Sequence, residues 1–136
     1  MEAMVAGLQN AHSFWRYVVL ISAALTVGMM WRGWFGGKAW SSLEMRMANF
    51  FVVALDLEVL LGLFYWLLNQ QWTSGELLST WRHPILMLTI WIFVRIGWFR
   101  LRHAVKDRDK FRIGAVWFTS ATFFVIVGVL QISGVI

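Results

Sequence analysis

The stretch N-F-F-V-V-A-L-D-L-E-V-L-L-G-L-F-Y-W (49–66) sets two carboxylic acids inside an otherwise apolar run. About 20 apolar residues suffice to cross the hydrocarbon core of a bilayer. Lipid offers no hydrogen-bond partners, so such a segment must satisfy its own backbone as a helix. Three more runs of the same kind occur, and together the four cover about 13–34, 45–69, 82–102 and 111–133. With 60% hydrophobic and 14% charged residues in 136, the chain has more apolar surface than a soluble core of that size could hide. The connections are short, which favours antiparallel neighbours. The expected fold is all-α, a single integral membrane domain over 1–136: a four-helix bundle running up-down-up-down.

Charge sorts along the same plan. Arg32, Lys38, Arg46, Arg100, Arg102, Lys106, Arg108, Lys110 and Arg112 flank the first and third connections, whereas the second holds only Arg82. The positive-inside rule then places both basic connections in the cytoplasm and both termini outside, in a multi-pass protein of the inner (cytoplasmic) membrane. The net charge of +5 is accordingly a topology signal and not a nucleic-acid footprint. The basic stretch 100–112 also attracts anionic headgroups, each cation near the surface contributing about 1 kcal/mol. Glu2 stands where a secretory leader would be basic, so the first run is expected to be a retained span. With no cysteine, the chain holds no iron–sulfur cluster, c-type haem attachment or thiol nucleophile.

Ten tryptophans follow the two interfaces. Trp15, Trp66, Trp72 and Trp81 fall at the outer boundary, and Trp31, Trp34, Trp40, Trp98 and Trp117 at the inner one, as amphipathic indoles prefer. Trp91 alone falls well inside a run, where core packing accounts for it. A faint internal repeat is also visible: F-F-V-V-A-L (50–55) and F-F-V-I-V-G (123–128) stand 73 positions apart, and His12 and His83 stand 71 apart. Two related hairpins would give such offsets.

His12 opens the first run in A-H-S-F-W-R-Y, and His83 opens the third in W-R-H-P-I-L-M. Odd-numbered helices point the same way, so both imidazoles lie at the outer end at similar depth, on helices that face each other diagonally. Two histidines so placed are what bis-imidazole ligation of haem b requires. Arg16 lies one turn below His12 and Arg82 precedes His83, where their guanidiniums suit propionate carboxylates. The residues also admit a plainer meaning. Pro84 belongs in a first helical turn, where its missing N–H costs nothing, so H-P is equally a helix-start signal.

An aspartate at mid-membrane costs about 2.5–3.5 kcal/mol on insertion scales, which makes Asp56 and Glu58 functional candidates. Two positions separate them, about 200° around the helix, so one patch does not hold both easily. Asn49 shares the face of Asp56, while Gly62 and Tyr65 share that of Glu58. Arg95 is the evident counterion for one of the two acids, and Asp56, Glu58 and Arg95 are expected to form a buried polar cluster, as structural glue or as a proton path. Gly62 lets a helix or flat ligand approach the backbone.

H-S-F-W-R (12–16), D-L-E-V-L-L-G-L-F-Y (56–65) and H-P-I-L-M (83–87) together resemble a family of small four-helix bacterial membrane proteins described as cytochrome-b-like. That resemblance implies that His12 and His83 are the family's characteristic histidines, accompanied by Arg16, Asp56 and Gly62. Glu58 replaces a common Gln, Arg82 a common acid, and I-S-G-V-I a usual Pro-Trp ending. The expected function is electron transfer by one haem b, with His12 and His83 as metal ligands and Arg16, Arg82 and Gly62 around the cofactor. A quinol or membrane redox complex would be the partner. Two rivals stand beside it: a cofactor-free accessory or assembly subunit of a respiratory or photosynthetic complex, and a proton or small-ion conductor through Asp56, Glu58 and Arg95.

Overall fold

The computed structural model describes residues 1–70 and 78–132. Four helices make up the described chain: α1 (Glu2–Gly36), α2 (Ser42–Leu68), α3 (His83–His103) and α4 (Asp107–Ile132), with a π-helical turn, Leu78–Arg82, leading into α3. Each is long and apolar enough to cross a membrane. Trp72 and the last position expected for the fourth helix, 133, lie outside the described residues.

The helix boundaries differ from expectation where local chemistry outweighs hydropathy. α1 begins at Glu2 instead of near 13, because 2–12 is built of good helix formers with an acid in its first turn, although it is too polar to register as a span. α2 begins at Ser42 because Ser41 caps it: the Leu43 N–H donates to Ser41 Oγ at 3.3 Å, and Glu44 Oε2 accepts from the Ser41 N–H at 2.9 Å. Asp107 and Asp109 likewise start α4 before 111, in the turn where acids meet the positive helix end. Asp107 also accepts from the Trp40 N–H at 3.1 Å, tying the first connection to the third. α1 stops at Gly37, whose φ of 60° suits a residue without Cβ, and the Lys38 N–H closes the turn on Gly33 O at 3.1 Å.

The helices alternate in direction and form a ring. α1 packs on α2 and α4, α3 packs on α4, and the α2–α3 seam is the most lightly packed of the four. α1 and α3 face each other across the ring. One end of the bundle carries the α1–α2 and α3–α4 connections and is the basic end; the other carries His12 and His83.

Lipid and side chain are equally apolar, so close packing and not burial from water holds such helices together. At the basic half, glycines supply that closeness. A Cβ on Gly33 would lie 2.1 Å from the Phe111 ring, one on Gly97 2.6 Å from Trp117 Cβ, and one on Gly114 2.6 Å from Met30 Sδ. Buried or half-buried polar groups bond across helices: Thr26 Oγ1 donates to Met47 O at 3.3 Å, and the Trp31 indole N–H to Thr119 Oγ1 at 2.7 Å.

The internal repeat emerges in the burial pattern. Val19, Ala23, Thr26 and Met30 of α1 and their counterparts 71 positions on, Ile90, Val94, Gly97 and Leu101 of α3, are all buried. In α2 and α4 the matching offset is 70: Ala48, Phe51, Leu55 and Glu58 answer to Phe118, Ala121, Val125 and Gly128. The offset of 73 suggested by the F-F pairs is not the structural register, since Phe51 is buried and Phe124 exposed. Two hairpins, α1–α2 and α3–α4, thus present equivalent faces to one axis.

Candidate functional site

At the histidine end all four helices contribute to a cavity of about 400 Å³. α1 supplies His12 and Arg16, α2 supplies Glu58 and Gly62, α3 supplies His83, Pro84 and Met87, and α4 supplies Val125 and Gly128. The lining is otherwise chiefly apolar.

His12 is held tightly. Its ring lies against Gly62, where a Cβ would stand 2.9 Å from Cε1, so the glycine is the space the imidazole occupies. Nδ1 is 3.2 Å from the carbonyl oxygen of Glu58 and 3.0 Å from its Oε1. A carbonyl oxygen only accepts, so Nδ1 is the donor here, and in the neutral imidazole the lone pair is then on Nε2. Glu58 itself is 3% exposed, fixed in the wall of the cavity. Helix α1 already runs for ten residues before His12, so the residue lies within a formed helix and does not open it.

His83 is held loosely by comparison. It stands at the start of α3, directly after the π-helical turn, with Pro84 in the first α-helical turn. Its Cε1 would be 3.7 Å from a Cβ on Gly128, an ordinary contact. Its Nδ1 is buried and, among the described residues, has no hydrogen-bond partner. In the register of the repeat the α4 position equivalent to Glu58 is Gly128, so no carboxylate stands there beside the second histidine as Glu58 stands beside the first. Nε of Arg16, also in the cavity wall, is buried without a hydrogen-bond partner among the described residues.

Arg82 does not join them. It is exposed and absent from the cavity wall, because successive helical residues point about 100° apart and His83 takes the inward direction. His103 lies at the basic end, exposed, with Nδ1 2.8 Å from Phe99 O.

The one cluster expected of Asp56, Glu58 and Arg95 is two separate groups. Glu58 turns to His12, while Asp56 turns to the α2–α3 seam and pairs there with Arg95. The offset of two residues along α2 makes this split unavoidable. Trp91 completes the second group: its indole N–H donates to Asp56 Oδ1 at 2.8 Å, and the Arg95 guanidinium lies 5.5 Å from the ring centroid. This group is not fully buried, the Arg95 and Asp56 side chains being 42% and 30% exposed on the flank of the bundle. Trp91 is therefore a hydrogen-bonding member of a polar seam and not a core filler.

Sequence reasoning found His12, His83, Arg16 and Gly62 but missed two features of the cavity: Glu58 as partner of His12, and Gly128 beneath His83. The 70-residue register between α2 and α4 would have pointed to both. Among the described residues, no three His, Asp or Glu side chains converge on a point where they could hold a metal ion by themselves. Haem ligation asks for two axial donors only, the porphyrin supplying the rest. No family model, curated protein or solved structure matches the chain.

Proposed function

We propose that the cavity holds one haem b, with His12 and His83 as its axial ligands, and that the protein transfers electrons within a membrane. The observation that carries this reading is the convergence of two imidazoles, from helices across the ring, on one largely apolar cavity. The residues fit such a group on three further counts. Gly62 lies directly against the His12 ring, and a Cβ on Gly128 would stand 3.7 Å from His83 Cε1. The Glu58 carbonyl accepts from His12 Nδ1, which in the neutral imidazole leaves Nε2 to ligate, the outer support that ligating histidines commonly have. Arg16 has a buried, unengaged Nε at the cavity wall, suited to a propionate. Haem, when bound, would supply one-electron exchange. The chain would hold it, exclude water with its apolar lining, and compensate carboxylate charge through Arg16.

The charge distribution supports an orientation in which the basic end faces the cytoplasm and the histidine end, with both termini, faces outward. A quinol or a membrane redox complex is then a suitable donor and an outer-side protein a suitable acceptor. A conductor through Asp56, Glu58 and Arg95 is less well supported, because Glu58 and the Asp56–Arg95 pair occupy different faces of α2.

A dithionite-reduced minus oxidised visible spectrum of the purified protein tests the proposal. The expected result is sharp α and Soret bands of six-coordinate haem b, lost in His83→Ala while circular dichroism retains the helical signal. A featureless spectrum after expression with ample haem would reject the proposal and leave an accessory subunit as the better account.

A further inference from the structure

At the opposite end, an open groove of about 870 Å³ lies where α2 begins, α3 ends and α4 begins. Arg46 of α2, Arg102 of α3 and Lys110 of α4 line it, together with Trp40, Trp98 and Asn49. Three cations from three helices line it, and the carboxylates bonded to its other lining residues are engaged with backbone, Asp107 with the Trp40 N–H and Glu44 with the Ser41 N–H. Among the described residues none of the three cations has a carboxylate within ion-pair distance, whereas the neighbouring Arg112 pairs with Asp109 at 3.4 Å. They rest on neutral groups instead. The Arg102 guanidinium lies 5.8 Å from the Trp98 ring centroid, Lys110 Nζ lies 5.8 Å from that of Trp40, and Arg46 donates to Ser42 Oγ at 3.4 Å.

We propose that this groove binds the headgroup of an anionic phospholipid, its phosphate received by Arg46, Arg102 and Lys110. Like charges gathered in one groove repel unless an anion joins them, and guanidinium and ammonium groups together suit a phosphate. Depth argues for a lipid. The groove lies at the ends of membrane-spanning helices, where headgroups sit, and two indoles flank the cations as at a membrane interface. It also opens at the foot of the α2–α3 seam, the least tightly packed of the four. Basic pockets between membrane helices bind anionic headgroups by this chemistry. The inference is independent of the cavity at the other end.

Native mass spectrometry of the full chain, released from nanodiscs of phosphatidylcholine with phosphatidylglycerol, reads the site directly. The wild type is expected to retain one phosphatidylglycerol in preference to phosphatidylcholine. The variant R46Q/R102Q/K110Q should weaken that retention at least tenfold. The charge-matched control R32Q/R100Q/R108Q, whose residues do not line the groove, should stay within twofold of wild type. Equal loss in the two triple variants would overturn the proposal in favour of diffuse surface charge. So would equal retention of the two lipids, or full displacement of phosphatidylglycerol by millimolar inorganic phosphate, which would mark a free-anion site. Should a triple variant not fold, R102Q against R100Q gives the same contrast, and equal retention by those two would also overturn it.

Discussion

The two halves of the bundle differ in how fully their glycine notches are filled. In the basic half, Gly33, Gly97 and Gly114 are notches already filled by Phe111, Trp117 and Met30, and the helices close on a packed core. In the histidine half, Gly62 and Gly128 underlie imidazoles that border a cavity of about 400 Å³. A filled notch turns glycine into helix–helix adhesion, since dispersion between closely fitted surfaces is what lipid cannot match. Beside the cavity, Gly62 is filled by the His12 ring, whereas Gly128 has only ordinary contacts at 3.5–3.7 Å.

Emptying a filled notch should have the largest effect. Phe111, fully buried against Gly33 and in edge contact with Trp40, is expected to cost about 3–5 kcal/mol on Phe111→Ala, read as a lowered midpoint of unfolding in detergent. Overfilling the same notch with Gly33→Ala should cost about 1–3 kcal/mol, because the Phe111 ring has no free space to yield into. Breaking the flank is expected to have a smaller effect. In a double-mutant cycle of Asp56→Leu and Arg95→Leu, the double variant should be less destabilised than the sum of the singles by about 1 kcal/mol, the scale of membrane-embedded polar pairs. Additive singles would show that the pair contributes nothing beyond its separate contacts. Smallest of all should be Gly128→Ala, whose new methyl meets ordinary contacts at 3.5–3.7 Å and is expected to shift stability by under about 0.5 kcal/mol. A Gly128→Ala loss as large as that of Gly33→Ala would erase the distinction between the two halves.

Much of the fold is legible in the chain's hydropathy and charge. Four apolar runs, short connections and one-sided charge lead to four antiparallel helices, and the boundary shifts at Glu2, Ser42 and Asp107 arise from caps and propensities that hydropathy does not register. His12, His83, Arg16 and Gly62 are legible as a group because ligand-type residues at one depth on facing helices need only a residue count. Arg82 is misplaced by such counting because chain proximity to His83 says nothing of direction, and depth alone does not say which of Asp56 and Glu58 pairs with Arg95 or that the other leaves the cluster. The 200° between the acids already contains the correction, but not which acid faces inward.

Sequence is enough to establish a membrane-spanning four-helix bundle with a basic end and a histidine end. Hydropathy and charge are properties of segments, and segments fix length, number and polarity of the spans. The rotation of each helix about its own axis is settled by tertiary packing instead. The second helix is apolar on nearly every side, so no polar stripe announces which face turns to the core. That rotation is set by which glycine accepts which ring: Gly62 beneath His12, Gly33 against Phe111, Gly97 against Trp117. It delivers Glu58 to an imidazole and leaves Asp56 to a guanidinium on the flank, because close packing between helices, and not hydropathy, selects the face.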